Sequence, residues 1–199
     1  MSGGLSAERK LDANISVKLS ALGLKIDERF CSENLDRIAA AARRHGNFVR
    51  VDMEDASTTD ATLRLYREVQ ARHGNLGVVF QAYMRRTLAD IAALPETGAN
   101  VRLCKGIYVE PRAIAFKAYE TVRLNFLQAL EKLFERGIYV GMATHDEHLG
   151  CGALGLIGGA IVFVIAAVFF VAESFFLATL LVSFALLVYA SAWLKRYHP

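Results

Sequence analysis

Three cysteines in 199 residues are too few, and odd in number, for a disulfide framework, and Cys31, Cys104 and Cys151 match no metal-binding spacing. A secreted disulfide scaffold is excluded, and a reducing compartment is expected. No run of like charge appears and the net charge is only +3, so no nucleic acid partner is expected. Met1–Asn14 carries charges and lacks a hydrophobic run, so no secretory leader is expected. No GxSxG elbow or Cys–His arrangement marks a nucleophile. The glycines from Gly155 to Gly159 sit among apolar residues, which argues against a phosphate loop. Disorder and collagen are excluded by a composition that is 54% hydrophobic and 22% charged. Charge itself is missing from one region. Of 23 Lys and Arg and 20 Asp and Glu, only Glu173, Lys195 and Arg196 follow Gly150.

What is present divides accordingly. The length suits one domain with an appendage: a charged stretch over 1–149 and a hydrophobic one over 150–199. In the first, short runs rich in β-branched and aromatic residues begin near Ile15 (ISVKL), Phe48 (FVRVD), Gly77 (GVVFQ), Val101 (VRLCK) and Tyr139 (YVGMA); each reads as a strand. Helices are expected between them. Leu35, Ile38, Ala39 and Ala42 recur at helical spacing before Gly46, and Leu63, Tyr66 and Gln70 do so before Gly74. Thr87 and Asp90 read as a capping box in a helix stopped by Pro95. Pro111 reads as the start of a longer helix that runs through Arg136 to Gly137.

Alternation of strand and helix indicates βαβ units and a parallel sheet. In the first, second and fourth strands one face is apolar and the other polar (Ser16 and Lys18; Arg50 and Asp52; Arg102 and Cys104). A sheet buried on both sides should be apolar on both, so the expected α/β fold is an incomplete (β/α)8 TIM-like barrel of about five parallel strands. Closure normally takes eight.

Cys151 to Leu194 contains one charged residue, Glu173. As a single helix it would extend roughly 66 Å, about twice a hydrocarbon core of ~30 Å. A helical hairpin of two transmembrane spans, 152–171 and 175–194, fits better. Gly155, Gly158 and Gly159 offer small contact surfaces, and Lys195 and Arg196 keep the C-terminus cytoplasmic. The chain is therefore expected to be membrane-associated, with its soluble part on the cytoplasmic side of the lipid bilayer.

In parallel α/β folds functional residues gather at the carboxyl ends of strands. Those ends read Lys18; Asp52-Met53-Glu54-Asp55; Gln81; Arg102 and Lys105-Gly106; and Thr144-His145-Asp146. Five polar ends suggest a site of cations and hydrogen-bond donors suited to an anionic ligand. His145, Asp146 and His148, with Asp52 and Glu54, invite a metal reading, but no third ligand has the right spacing. No metal is expected.

These strand ends resemble proline dehydrogenase, the flavin-dependent (β/α)8-barrel family of bacteria and mitochondria. The matching stretches are SVKLSALG (Ser16–Gly23), FVRVDMED (Phe48–Asp55), VFQAY (Val79–Tyr83), VRLCKGIYVEP (Val101–Pro111) and ATHD (Ala143–Asp146). They cover residues from about 12 to 149. The resemblance implies oxidation of L-proline to 1-pyrroline-5-carboxylate, with hydride transfer to non-covalent FAD and electrons passing to a membrane quinone. By position it implies that Lys18 pairs with the proline carboxylate and that Asp52 orders the polar site beside the substrate. Met53 and Gln81 would contact the flavin, with Gln81 on its pyrimidine edge. Arg102 would lie near the redox-active nitrogen, where a fixed cation stabilises developing charge. Lys105, Gly106 and Ile107 would follow the cofactor, the glycine permitting close backbone approach. Tyr108 would wall the substrate pocket, and Thr144 and His145 would bind FAD elsewhere. Family members usually carry alanine at the position of Ile107. The matched stretch includes neither the family's first and last strands nor the arginine pair of its final helix; Arg85-Arg86 follows the fourth barrel strand and is not that pair. The alternatives are an inactive truncated or fused fragment of the family, and a membrane-anchored binding module.

Overall fold

The computed structural model describes residues 14–95 and 98–157. The chain divides into two compact units, Met1–Gly152 and Ala153–Pro199. Of the second unit only residues 153–157 are described, and they are helical. The expected transmembrane spans, 152–171 and 175–194, therefore lie almost wholly outside the described residues. No helix among the described residues is long and apolar enough to cross a membrane.

All five expected strands form in the first unit: β1 (Ile15–Val17), β2 (Val49–Val51), β3 (Leu76–Gln81), β4 (Asn100–Cys104) and β5 (Tyr139–Ala143). Every pairing is parallel and the order is β1-β2-β3-β4-β5. A doubly wound sheet reverses its strand order at a switch point. This order never reverses, which is the topology of consecutive barrel staves. Among the described residues β1 and β5 are paired on one side only, so the sheet is open.

Four helices connect the strands: α1 (Glu28–Arg44), α2 (Thr59–His73), α3 (Thr87–Ala92) and α4 (Tyr119–Glu135). The first begins where the Asp27 carboxylate accepts the Phe30 N–H at 2.7 Å, and Arg43 and Arg44 lie at its negative C-terminal end. It buries Cys31, Leu35, Ala39 and Ala42, one apolar stripe at helical spacing. Helix α2 buries Leu63, Tyr66 and Gln70 and ends at Gly74, whose φ of +72° is one that L side chains rarely adopt. Gln70 also ties the loops together, donating to Gly98 O at 2.7 Å and accepting from Leu76 N at 2.7 Å.

Three expectations are corrected. The helix expected from Pro111 begins at Tyr119. Pro111 O accepts the N–H of Ile114 and Ala115 in a turn, and Ala115 then pairs antiparallel with Met84, with Phe116 N donating to Tyr83 O at 2.7 Å. Those bonds tie 114–116 to the Tyr83 segment and keep them out of a helix. Thr87 and Asp90 form no capping box: Thr87 Oγ1 donates to Gln81 O at 2.6 Å, and Asp90 holds the Arg86 guanidinium at 2.7 Å. Finally, the alternation of apolar and polar faces holds in β4 but not in β2, where every residue is buried. Arg50, expected on the open polar face, is only 5% exposed. Its guanidinium stacks on Phe48 and donates to Asn100 across the position of Gly77.

Candidate functional site

At the carboxyl ends of the strands lies a cavity of about 430 Å³, within the ~300–1,000 Å³ typical of small-molecule sites. Lys18 borders it just beyond β1, Asp52 and Met53 beyond β2, and Gln81 at the last position of β3. Arg102 reaches it from within β4; Lys105, Gly106, Ile107 and Tyr108 line it from the following loop, and Thr144 and His145 from beyond β5. All eleven residues given roles by the family resemblance thus share one hollow, whereas Glu54, Asp55 and Asp146, also read at the strand ends, do not line it. Val79, Cys104 and Ala143 line it as well and were missed. Their signal was periodic: Val79 stands two residues before Gln81 and Cys104 two after Arg102, on the same strand faces.

Arg102 organises the charge. From β4 it reaches past β3 and β2 to β1, where its Nη2 donates to Ser16 Oγ at 2.7 Å; its Nη1 lies 3.6 Å from Asp52 Oδ1. That carboxylate oxygen is buried and has no hydrogen bond among the described residues. Neighbouring strand ends are locked together. Glu54, 8% exposed, accepts from Ser20 N at 2.9 Å and Ser20 Oγ at 2.5 Å, which ties the turn after Lys18 to β2. Its carbonyl accepts from Gln81 Nε2 at 2.8 Å and so orients that amide.

Asp146 performs the same service between β4 and β5. Its carboxylate accepts from Arg123 Nε at 3.0 Å and Nη2 at 2.9 Å, from Tyr119 OH at 2.6 Å and from Lys105 Nζ at 3.3 Å. Arg123 first, then the Tyr119 hydroxyl and Lys105, hold the Asp146 carboxyl well below the usual carboxylate range. Arg123 also pairs with Glu120 at 3.0 Å, so two cations here face two carboxylates. Cys104 Sγ donates to Phe80 O at 3.5 Å, and burial pushes its thiol pKa up, away from a reactive thiolate.

Gly106 needs its missing side chain for a reason the sequence did not disclose. Its φ is +109°, and a Cβ would lie 2.1 Å from Cδ1 of Tyr83. The close approach is to a ring of this chain. Tyr83 is 7% exposed, its hydroxyl has no hydrogen-bond partner among the described residues, and burial pushes its pKa up to about 12. Ile107, by contrast, is 86% exposed at the rim.

The arrangement suits a ligand with ring acceptors and anionic groups. Lys18, Arg102 and Lys105 supply positive charge, Gln81 an oriented amide and Asp52 a carboxylate. That donor set fits a flavin beside an amino acid: Gln81, Met53 and the Lys105–Ile107 segment could hold the former, and Lys18 and Asp52 the latter.

A family model described as proline dehydrogenase matches residues 4–160. Proline dehydrogenase 1 of Bacillus subtilis subsp. natto is 35% identical over 143 residues, which cover 72% of this chain and 47% of that protein. Proline dehydrogenase of Deinococcus radiodurans is 35% identical over 140 residues, covering 68% and 45%. The chain spans about half the length of the curated relatives it matches. Among solved structures, proline utilization A from Bdellovibrio bacteriovorus, inactivated by N-propargylglycine, superposes with a TM-score of 0.65 at 22% identity, over 74% of this chain and 18% of that one. A proline utilization A structure with proline bound in remote sites gives a TM-score of 0.64 at 23% identity, over 73% and 18%. At those identities the structures speak for the fold, and the family model and the curated relatives speak for descent: this chain belongs to the proline dehydrogenase family.

Proposed function

We propose that the chain oxidises L-proline to 1-pyrroline-5-carboxylate, with FAD as the hydride acceptor and a membrane quinone as the final electron acceptor. What supports the reading is the convergence of Lys18, Asp52, Gln81, Arg102 and His145 on one cavity, together with family membership. Lys18 holds the substrate carboxylate, and Asp52 accepts a hydrogen bond from the substrate amine. Arg102, braced on Ser16, sets a fixed positive charge where negative charge develops during hydride transfer. Met53, Gln81, Lys105, Gly106 and Ile107 bear on the cofactor, Thr144 and His145 hold it at the β5 side, and Tyr108 walls the substrate. Membrane association through 150–199, with the soluble part cytoplasmic, rests on that segment's near absence of charge and on Lys195 and Arg196 after it. It would bring the site close to its quinone.

The deciding experiment is to purify the full chain in detergent with FAD and record its visible spectrum before and after adding L-proline. A flavin band that bleaches with proline is expected. A colourless, proline-inert protein would overturn the reading and favour a non-catalytic member of the family.

A further inference from the structure

The concave face of the sheet carries a second guanidinium, to which no role has yet been given. Arg50 lies two residues before Asp52 on β2 and is 5% exposed. Its Nη1 donates to Asn100 O at 3.0 Å and its Nη2 to Asn100 Oδ1 at 2.7 Å. Its Cζ sits 4.8 Å from the centre of the Phe48 ring, and its Nε is buried without a partner among the described residues. The slot is shaped for it. A Cβ on Gly77 would fall 2.6 Å from Arg50 Nη1, 2.6 Å from Asn100 O and 2.5 Å from Cζ of Phe48.

Among the described residues every hydrogen-bond partner of Arg50 is neutral, and no carboxylate lies within ion-pair distance of it. Burial first, and then the charge of Arg102, pull its pKa down to about 10, which leaves it charged at neutral pH. A cross-tie between β2 and β4 alone does not call for a cation, because burying an unneutralised charge is expensive and a neutral side chain can fill such a site at no loss. A fixed charge in a low-dielectric floor acts instead at a distance, on whatever charge develops above it.

We propose that Arg50 tunes the cofactor site without touching it. Held by Phe48, Gly77 and Asn100, its unneutralised buried charge favours the reduced, more negatively charged flavin over the oxidised form. This rests on the FAD-binding reading above. The test is the midpoint potential of flavin bound to the full chain, measured for Asn100→Asp, Arg50→Met and Arg50→Lys, each with a urea midpoint to confirm folding.

Asn100→Asp is the decisive variant, because it keeps the acceptor in place and neutralises the guanidinium through the same contact. The binding ratio of reduced to oxidised flavin should fall on the order of tenfold, about 30 mV downward for a two-electron couple, in Asn100→Asp and in Arg50→Met. Arg50→Lys, which keeps the charge, should stay within about threefold. A merely structural Arg50 would leave the Asn100→Asp potential unmoved, and a folded, flavin-loaded Asn100→Asp chain with an unchanged potential overturns the proposal. An unsubstituted chain that binds no flavin overturns the FAD-binding reading and this proposal with it.

Discussion

Gly106→Ala separates two explanations of one glycine. Family resemblance suggests that the position is kept bare so that a cofactor can approach the backbone, whereas the structure places the obstacle inside the chain. A Cβ would lie 2.1 Å from Cδ1, 2.4 Å from Cε1 and 2.8 Å from Cγ of Tyr83, and the φ of +109° is itself unfavourable for an L residue. Tyr83 has little room to retreat. Its N–H donates to Lys105 O at 2.8 Å, its carbonyl accepts from Phe116 N at 2.7 Å, and its ring packs with Met84, Ala115 and Val122. Backbone strain contributes about 1–3 kcal/mol and overpacking about 1–3 kcal/mol. Gly106→Ala should therefore destabilise the flavin-free chain by about 2–6 kcal/mol, a large share of the ~5–15 kcal/mol typical of a domain. Urea denaturation without FAD measures it. Adding Tyr83→Leu should recover the crowding part and leave the φ part, so the two substitutions should be clearly non-additive. A flavin-free loss under about 1 kcal/mol, alongside weakened FAD binding, would refute the reasoning and return the glycine to the cofactor.

Two further outcomes follow from the locked strand ends. The Asp146 carboxyl is held below its unfolded value, chiefly by Arg123. Its stabilising effect is therefore fully present above the unfolded carboxylate range, ~3.9, and is lost as pH falls below that toward the folded value. Urea midpoints from neutral pH down to pH ~2 should show this acid loss in the unsubstituted chain. Asp146→Asn should be less stable at neutral pH and flatter in acid, and parallel pH profiles would contradict the assignment. Glu54→Ala removes the acceptor from Ser20 N and Ser20 Oγ and should lower stability by about 1–3 kcal/mol. A change below about 0.5 kcal/mol, within the range of ordinary surface substitutions, would mean that the turn after β1 is held by other contacts.

The strands were legible because each is a short β-branched or aromatic run between helical stretches, and the helix stops at Gly46 and Gly74 were legible because only a few residue types tolerate those backbone angles. The start of α4 was not. Pro111 carries a genuine helix-start signal, but Met84, in another segment, takes Ala115 into an antiparallel bridge. Local propensity contains no information about that competitor. The Thr87–Asp90 box failed likewise: the hydroxyl found Gln81 O, six residues back, and the carboxylate found Arg86.

The candidate site was more legible than the helix boundaries, and topology explains why. When parallel strands follow one another without a reversal, each carboxyl end is delivered to the same rim, so residues as far apart as Lys18 and His145 meet without any long-range signal in the sequence. The same rule carries no information about the layer below that rim. Alternation placed Arg50 with Asp52 on one polar face, yet the structure buries the first and leaves the second at the cavity. The difference lies in Gly77, a neighbour on the next strand whose missing side chain opens a slot for the guanidinium. Arg102 makes the converse case, reaching Ser16 across a separation of 86 residues and lying 3.6 Å from Asp52 as it does so. In this fold a strand's own pattern says which face a side chain takes, and the small residues of the adjoining strands decide how deep it goes.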